Sequence, residues 1–147
     1  MTAFNYTKQT VLITGASSGI GRVFAETLAA RGADLLLLAR SGAVLEQLAR
    51  DLARRHGIRA HALVADLSQP GAAEAVHAQA CALGMPPDVL INNAGFATHG
   101  RFENIALARQ SAEVAVNCTA LMALTHRVLP HMLAQGRGAI INVASTA

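Results

Sequence analysis

Short apolar runs alternate along the chain with stretches in which apolar residues recur every three or four positions. The runs have the length of strands, and the stretches have the period of helices. The pattern predicts strands at residues 11–14, 34–39, 59–64, 89–92 and 139–143. It predicts helices at residues 20–31, 43–56, 71–82 and 106–134.

The second predicted strand contains four consecutive leucines, at residues 35–38, and is therefore apolar on both faces. Such strands are typical of a parallel sheet covered by helices on both sides. Right-handed crossovers then give a doubly wound, Rossmann-like α/β sheet. No repeat or linker interrupts the pattern, so residues 1–147 are expected to form one domain whose sheet stops after the fifth strand. Pro130 is expected to bend or loosen the long helix, and a break into two helices remains open.

Three glycines follow the first strand where the first helix begins: Gly15, Gly19 and Gly21. Glycines at such a turn let the backbone approach a pyrophosphate, and the helix N-terminus presents unpaired N–H groups and a positive dipole end. The turn therefore predicts a phosphate site. A tight turn without a ligand would use the same glycines, so the interpretation depends on residues elsewhere.

Composition excludes several classes of function. With 52% hydrophobic and 14% charged residues, the chain is expected to be globular with a large core. The net charge of +3 comes with scattered arginines and only 3% aromatic residues, so no nucleic-acid partner is expected. The longest apolar runs are of strand length, so no membrane span is expected. Cys81 and Cys118 lack metal-ligand spacing and the polar N-terminus is unlike a signal peptide, which favours a metal-free, cytoplasmic protein.

Polar segments follow each predicted strand, at the sheet edge where ligands bind in such folds. They are residues 14–21, 39–40, 65–67, 92–95 and 142–145, and the pair Val116-Asn117 lies within the long helix. In this order and spacing they resemble the short-chain dehydrogenase/reductase family, in its N-terminal portion. The resemblance implies hydride transfer between a nicotinamide cofactor and a small-molecule carbonyl or alcohol substrate.

The resemblance also implies where the cofactor binds. Gly15, Gly19 and Gly21 would form the cofactor turn, with Ser17 and Ser18 bordering the phosphates and Ile20 among the cofactor-binding residues. Asp66 and Leu67 would contact adenine, and Asn93, Ala94 and Gly95 would stabilise the sheet and pass beside the nicotinamide ribose. For Asp66, a loop or helix-capping role is the alternative.

The end of the second strand indicates which cofactor is preferred. Domains that prefer NAD usually place an acid there to hold the ribose hydroxyls, whereas a 2′-phosphate favours arginine. Here the segment contains Arg40 and no acid. A guanidinium can bind a phosphate through paired, charge-assisted hydrogen bonds. We therefore expect NADP(H) rather than NAD(H), with a solvated loop arginine as the alternative.

Two catalytic positions of the family are matched in this sequence. Ser145 matches the serine that polarises the substrate oxygen, and Asn117 matches the asparagine whose backbone carbonyl helps to hold a water in a proton relay. The family's tyrosine and lysine, four residues apart, have no match, because the only residues of these types are Tyr6 and Lys8.

The chain alone is therefore expected to be inactive, and to be a fragment of a complete reductase rather than a naturally truncated product. The full-length form is expected to be a homo-oligomer. A dinucleotide-binding module without turnover is the main alternative. An epimerase or dehydratase of the extended fold is a weaker one, which the segment at residues 92–95 disfavours.

Overall fold

A computed structural model describes residues 4–145 of the chain. The described residues contain one sheet of five parallel strands in the order β3-β2-β1-β4-β5. The strands are β1 (Thr10–Thr14), β2 (Asp34–Ala39), β3 (Ala60–Val64), β4 (Val89–Asn92) and β5 (Ala139–Asn142). This order confirms the predicted doubly wound, Rossmann-like class.

Helices connect successive strands and lie on both faces of the sheet. They are α1 (Gly19–Ala30), α2 (Gly42–His56), α3 (Ala72–Ala82), α4 (Leu107–Val114) and α5 (Leu121–Gln135). A short 3₁₀ turn at Phe102–Asn104 precedes α4. Within residues 4–145, no helix combines the length and the apolar character that crossing a membrane requires.

Alternation along the strands divides the core into two layers. Leu35 and Leu37 point to the face that packs with α1 and α2. Leu36 and Leu38 point to the opposite face, which packs with α3 and α5. All four leucines are fully buried, as expected for a central strand with helices on both sides.

The long helix predicted at residues 106–134 is not uniform. A π-helical segment, Ala115–Ala120, separates α4 from α5. The chain remains helical through Pro130, inside α5, so the break that we left open at this residue is wrong. The irregularity lies instead about three and a half turns earlier, around Asn117.

Strand order reverses beside β1, because β2 follows on one side and β4 lies on the other. The two crossovers leave this point in opposite directions, which opens a crevice at the carboxyl ends of β1 and β4. The polar segments identified in the sequence follow these strand ends.

Candidate functional site

The turn between β1 and α1 depends on two glycines for different reasons. Gly15 has φ +67°, and a Cβ atom there would lie 2.9 Å from Asn93 Nδ2 and 3.0 Å from Ala94 Cα. A Cβ atom at Gly21 would overlap the backbone carbonyl of Gly15. Gly15 therefore permits the turn to lie against the end of β4, and Gly21 permits α1 to pack closely on the turn.

Gly19 differs from its neighbours because a Cβ atom there would meet nothing within 4 Å. Its φ of +54° still favours glycine. The open space beside Gly19, at the first residue of α1, leaves the helix N-terminus accessible to a ligand. Ile20 is 59% exposed and also faces away from the core.

The Thr14 hydroxyl joins the glycine turn to the end of β4. Its Oγ1 accepts hydrogen bonds from the backbone N–H groups of Asn93 (2.9 Å) and Ala94 (2.8 Å). It also donates to the carbonyl of Ile91 at 3.4 Å. Sequence reasoning did not assign this role to Thr14, although a hydroxyl residue ending an apolar strand was the available signal.

The Asn93 side chain also links the end of β4 to the glycine turn. Its Nδ2 donates to the carbonyl oxygens of Thr14 at 3.0 Å and Gly15 at 3.4 Å. Both partners are main-chain atoms, so the amide holds the backbone path of the turn. Asn93 thus links the end of β4 to the glycine turn.

A cleft of about 350 Å³ lies at the carboxyl ends of the strands. The site residues that line it are Gly15, Ser17, Ser18, Arg40, Asp66, Leu67, Asn93, Ala94 and Gly95. The predicted site residues outside its lining are Gly19, Ile20, Gly21, Asn117 and Ser145. The cleft also contains residues that the sequence did not assign to the site, including Ser41 and Arg109.

Asp66 provides a negative charge on the cleft wall. Ser68 donates to Asp66 Oδ1 from its backbone N–H (2.9 Å) and its hydroxyl (2.8 Å). These bonds, with a smaller contribution from the nearby Arg40 guanidinium, hold the pKa of Asp66 below its ordinary value despite partial burial. Asp66 is therefore ionised at neutral pH. It holds the loop after β3 through Ser68 and also lines the cleft.

The π-helical segment places Asn117 against the loop that follows β4. Phe96 donates its backbone N–H to Asn117 Oδ1 (3.2 Å), and Asn117 Nδ2 donates to the Phe96 carbonyl (2.8 Å). A Cβ atom on Gly95 would lie 3.1 Å from Asn117 Oδ1, so glycine there permits this close approach. The Asn117 side chain thus fixes the loop that follows β4.

Ser145 follows β5 and is exposed. The strand leading to it is held by Asn92, whose Nδ2 donates to Asn142 Oδ1 (2.9 Å) and Thr125 Oγ1 (3.2 Å). Tyr6 and Lys8 lie before β1, at the opposite edge of the sheet. A strand of five residues spans about 16 Å, so neither side chain lies at the edge that carries Ser145.

Comparison with known proteins agrees with this geometry. The short chain dehydrogenase family model matches residues 9–147, and the chain belongs to this family. Ketoacyl reductase HetN of Nostoc sp. is 38% identical over 141 residues, covering 96% of this chain and 49% of the relative. Very-long-chain 3-oxoacyl-CoA reductase of Phaeosphaeria nodorum is 33% identical, covering 91% of this chain and 40% of the relative. The chain therefore spans about half or less of the length of these relatives.

Solved structures give the same result. A short-chain dehydrogenase from Sphingobium yanoikuyae in complex with NADPH has TM-score 0.87 and 41% identity, covering 94% of this chain and 54% of that chain. L-sorbose reductase from Gluconobacter frateurii, complexed with NADPH and L-sorbose, has TM-score 0.90 and 31% identity, covering 97% and 55%. The expected family and fold are both confirmed.

Proposed function

We propose that this chain forms the NADP(H)-binding portion of an oxidoreductase that interconverts a small-molecule carbonyl compound and its alcohol. The observation that carries the proposal is the cleft at the strand ends, which joins the glycine turn, Arg40 and Asp66 in one cavity. NADPH in two of the similar structures supports the choice of cofactor.

The cleft has the features that a dinucleotide requires. Gly15, Ser17 and Ser18 of the turn line the cavity. The helix α1 begins at the next residue, Gly19, where a Cβ atom would meet nothing within 4 Å, so its N-terminal N–H groups are suited to a pyrophosphate. Arg40 and Ser41 follow β2 and would bind the 2′-phosphate. Asp66 and Leu67 would border the adenine ring.

The nicotinamide cofactor supplies or accepts the hydride when bound. Ser145 would donate its hydroxyl proton in a hydrogen bond to the substrate oxygen. The backbone carbonyl of Asn117 would hold a water for proton transfer, since its side chain is engaged with Phe96. Both roles are carried over from the resemblance and remain proposals for these residues.

Tyr6 and Lys8 cannot provide the proton at this site, because they lie at the opposite edge of the sheet. We therefore expect the 147-residue chain to bind NADPH but to reduce no ketone or aldehyde. NADPH oxidation measured against a panel of carbonyl compounds tests this expectation. Turnover by the purified chain would contradict it.

Cofactor preference is tested by titrating the chain with NADPH and NADH. The chain contains no tryptophan, so NADPH fluorescence can be followed without energy transfer from indole. Each charge-assisted hydrogen bond is worth about 1.5–3 kcal/mol, so we expect at least about tenfold tighter binding of NADPH. Arg40→Gln should remove most of this preference, whereas Arg137→Gln, before the amino end of β5, should not.

Two outcomes would count against the proposal. If neither cofactor binds the folded chain, the dinucleotide function is wrong. If both bind with equal affinity and Arg40→Gln changes neither, the choice of NADP(H) is wrong and Arg40 is a solvated loop residue. Binding without turnover in the whole protein would instead favour a dinucleotide-binding module.

We also propose that the whole protein is a cytoplasmic homo-oligomer. Cys81 and Cys118 are both unbridged and exposed, as is common for cysteines in a reducing compartment. Val114, Met122 and Leu133, along α4 and α5, are 58–70% exposed, which favours association. Light scattering during size-exclusion chromatography tests the oligomeric state, and localisation of a tagged protein tests the compartment.

A further inference from the structure

Arg109 lines the cleft from the first turn of α4. Its guanidinium carbon lies over the ring of Phe96, 4.4 Å from the ring centroid. Ala112 and Val116 lie three and seven residues further along the same helical face and line the same cavity. The wall that Ala112 and Val116 form is therefore apolar, with the positively charged Arg109 side chain at one end.

The Phe96 ring beneath Arg109 belongs to a loop that α4 and the π-helical segment hold in place. Asn117 bonds both the N–H and the carbonyl of Phe96. Glu113 Oε2 accepts hydrogen bonds from the Thr98 hydroxyl (2.6 Å) and backbone N–H (3.0 Å). Two anchors, one on α4 and one on the π-helical segment, thus fix the loop that carries the Phe96 ring, and the ring in turn positions the guanidinium.

Within residues 4–145, no carboxylate pairs with Arg109. The guanidinium carbon of Arg109 lies over the Phe96 ring, and a guanidinium that stacks on one ring can accept a second planar group on its other face. Two further residues that line the same cavity suit a planar base. Leu67 supplies apolar surface, and the Asp66 carboxylate can accept a hydrogen bond from an amino group.

We propose that Arg109 stacks on the adenine ring of the bound dinucleotide, with Phe96 supporting its other face. The proposal rests on the proposed function and assigns Arg109 a part that Arg40 does not have. Arg40 would recognise the 2′-phosphate, which only NADP(H) carries. Arg109 would act on the adenine, which NADP(H) and NAD(H) share.

The two roles make different predictions for three ligands: NADPH, NADH and 2′,5′-ADP. Stacking of a base on an aromatic or guanidinium plane is worth a few kcal/mol at most. We therefore expect Arg109→Gln to raise the Kd of all three ligands by the same factor, about five- to twentyfold. Arg109→Lys keeps the charge but not the plane, and should weaken binding nearly as much.

Phe96→Leu removes the ring and should produce a smaller loss of the same uniform kind. Arg137→Gln is the matched control and should leave all three Kd values unchanged. Circular dichroism and thermal unfolding verify that each variant remains folded. Calorimetry measures every Kd without reference to enzyme activity.

The outcomes separate this inference from the proposed function. Unchanged affinities in Arg109→Gln, with wild-type binding intact, would overturn the inference alone. A loss confined to NADPH and 2′,5′-ADP would overturn it in favour of a second phosphate ligand. Full retention in Arg109→Lys would show that charge rather than stacking is responsible, and would overturn it as well. No binding by the wild-type chain would overturn both proposals.

Discussion

Replacing Thr14 by valine tests whether its hydroxyl holds the cleft together. The substitution preserves shape and β-branching but removes the acceptor for the N–H groups of Asn93 and Ala94. An unsatisfied buried donor costs about 1–3 kcal/mol. Both donors belong to half-buried residues, so water can replace part of the loss. With the bond to Ile91 also lost, we expect unfolding to become easier by about 2–3 kcal/mol.

This loss would lower the melting temperature by about 5–10 °C for a domain of this size. Urea unfolding followed by far-UV circular dichroism measures the free energy directly. NADPH affinity should fall in parallel, because the segment at residues 93–95 lines the cleft.

The control is Thr14→Ser, which keeps the hydroxyl and removes a buried methyl group. It should destabilise by only about 1 kcal/mol and retain NADPH binding. If the valine variant is no less stable than the serine variant, the hydroxyl is not the link between β1 and β4. The reasoning would then be refuted.

Gly21→Ala should destabilise by about 3 kcal/mol, because its Cβ would overlap the Gly15 carbonyl. Gly19→Ala should cost only about 1–2 kcal/mol, since only backbone strain opposes it. Gly19→Val should abolish NADPH binding while the chain stays folded, and unchanged affinity would mean that this part of the turn is only structural. Burial, helped by the charges of Arg127 and His131, holds the pKa of His77 below its ordinary 6.5. The unfolded chain therefore binds more protons below that pH, so stability should fall on acidification from pH 7.5, and His77→Gln should reduce the fall measured by urea unfolding.

The parts of the fold that local sequence determines were predicted well. The predicted bounds of β2 and β4 match the structure, because each is an apolar run between a polar residue and a turn. The cleft could also be located, since parallel strands place the segments that follow them at one edge. Nine of the predicted site residues line it, although their roles are still predictions.

The features that were missed depend on residues far apart in the sequence. The π-helical segment contains Asn117, whose side chain contacts Phe96, 21 residues earlier in the chain. The spacing of apolar residues along a helix gives no indication of such a contact. Pro130 does not interrupt α5, although local propensity alone favoured a disturbance there. Arg109 was overlooked because an arginine on an amphipathic helix looks like any solvated charge until its place in the cleft is known.

The link between Thr14 and Asn93 has a consequence for how the chain folds. It joins residues 79 positions apart, so forming it closes a loop of about half the chain. Closing such a long loop is entropically unfavourable and slows the formation of contacts. A nucleotide that needs both sides of the cleft would bind only after this closure. At a concentration of 100 times its Kd it would then favour the closed state by about 2.7 kcal/mol. A dinucleotide bound in the proposed way would thus stabilise the folded chain, and the folded fraction would depend on the dinucleotide concentration.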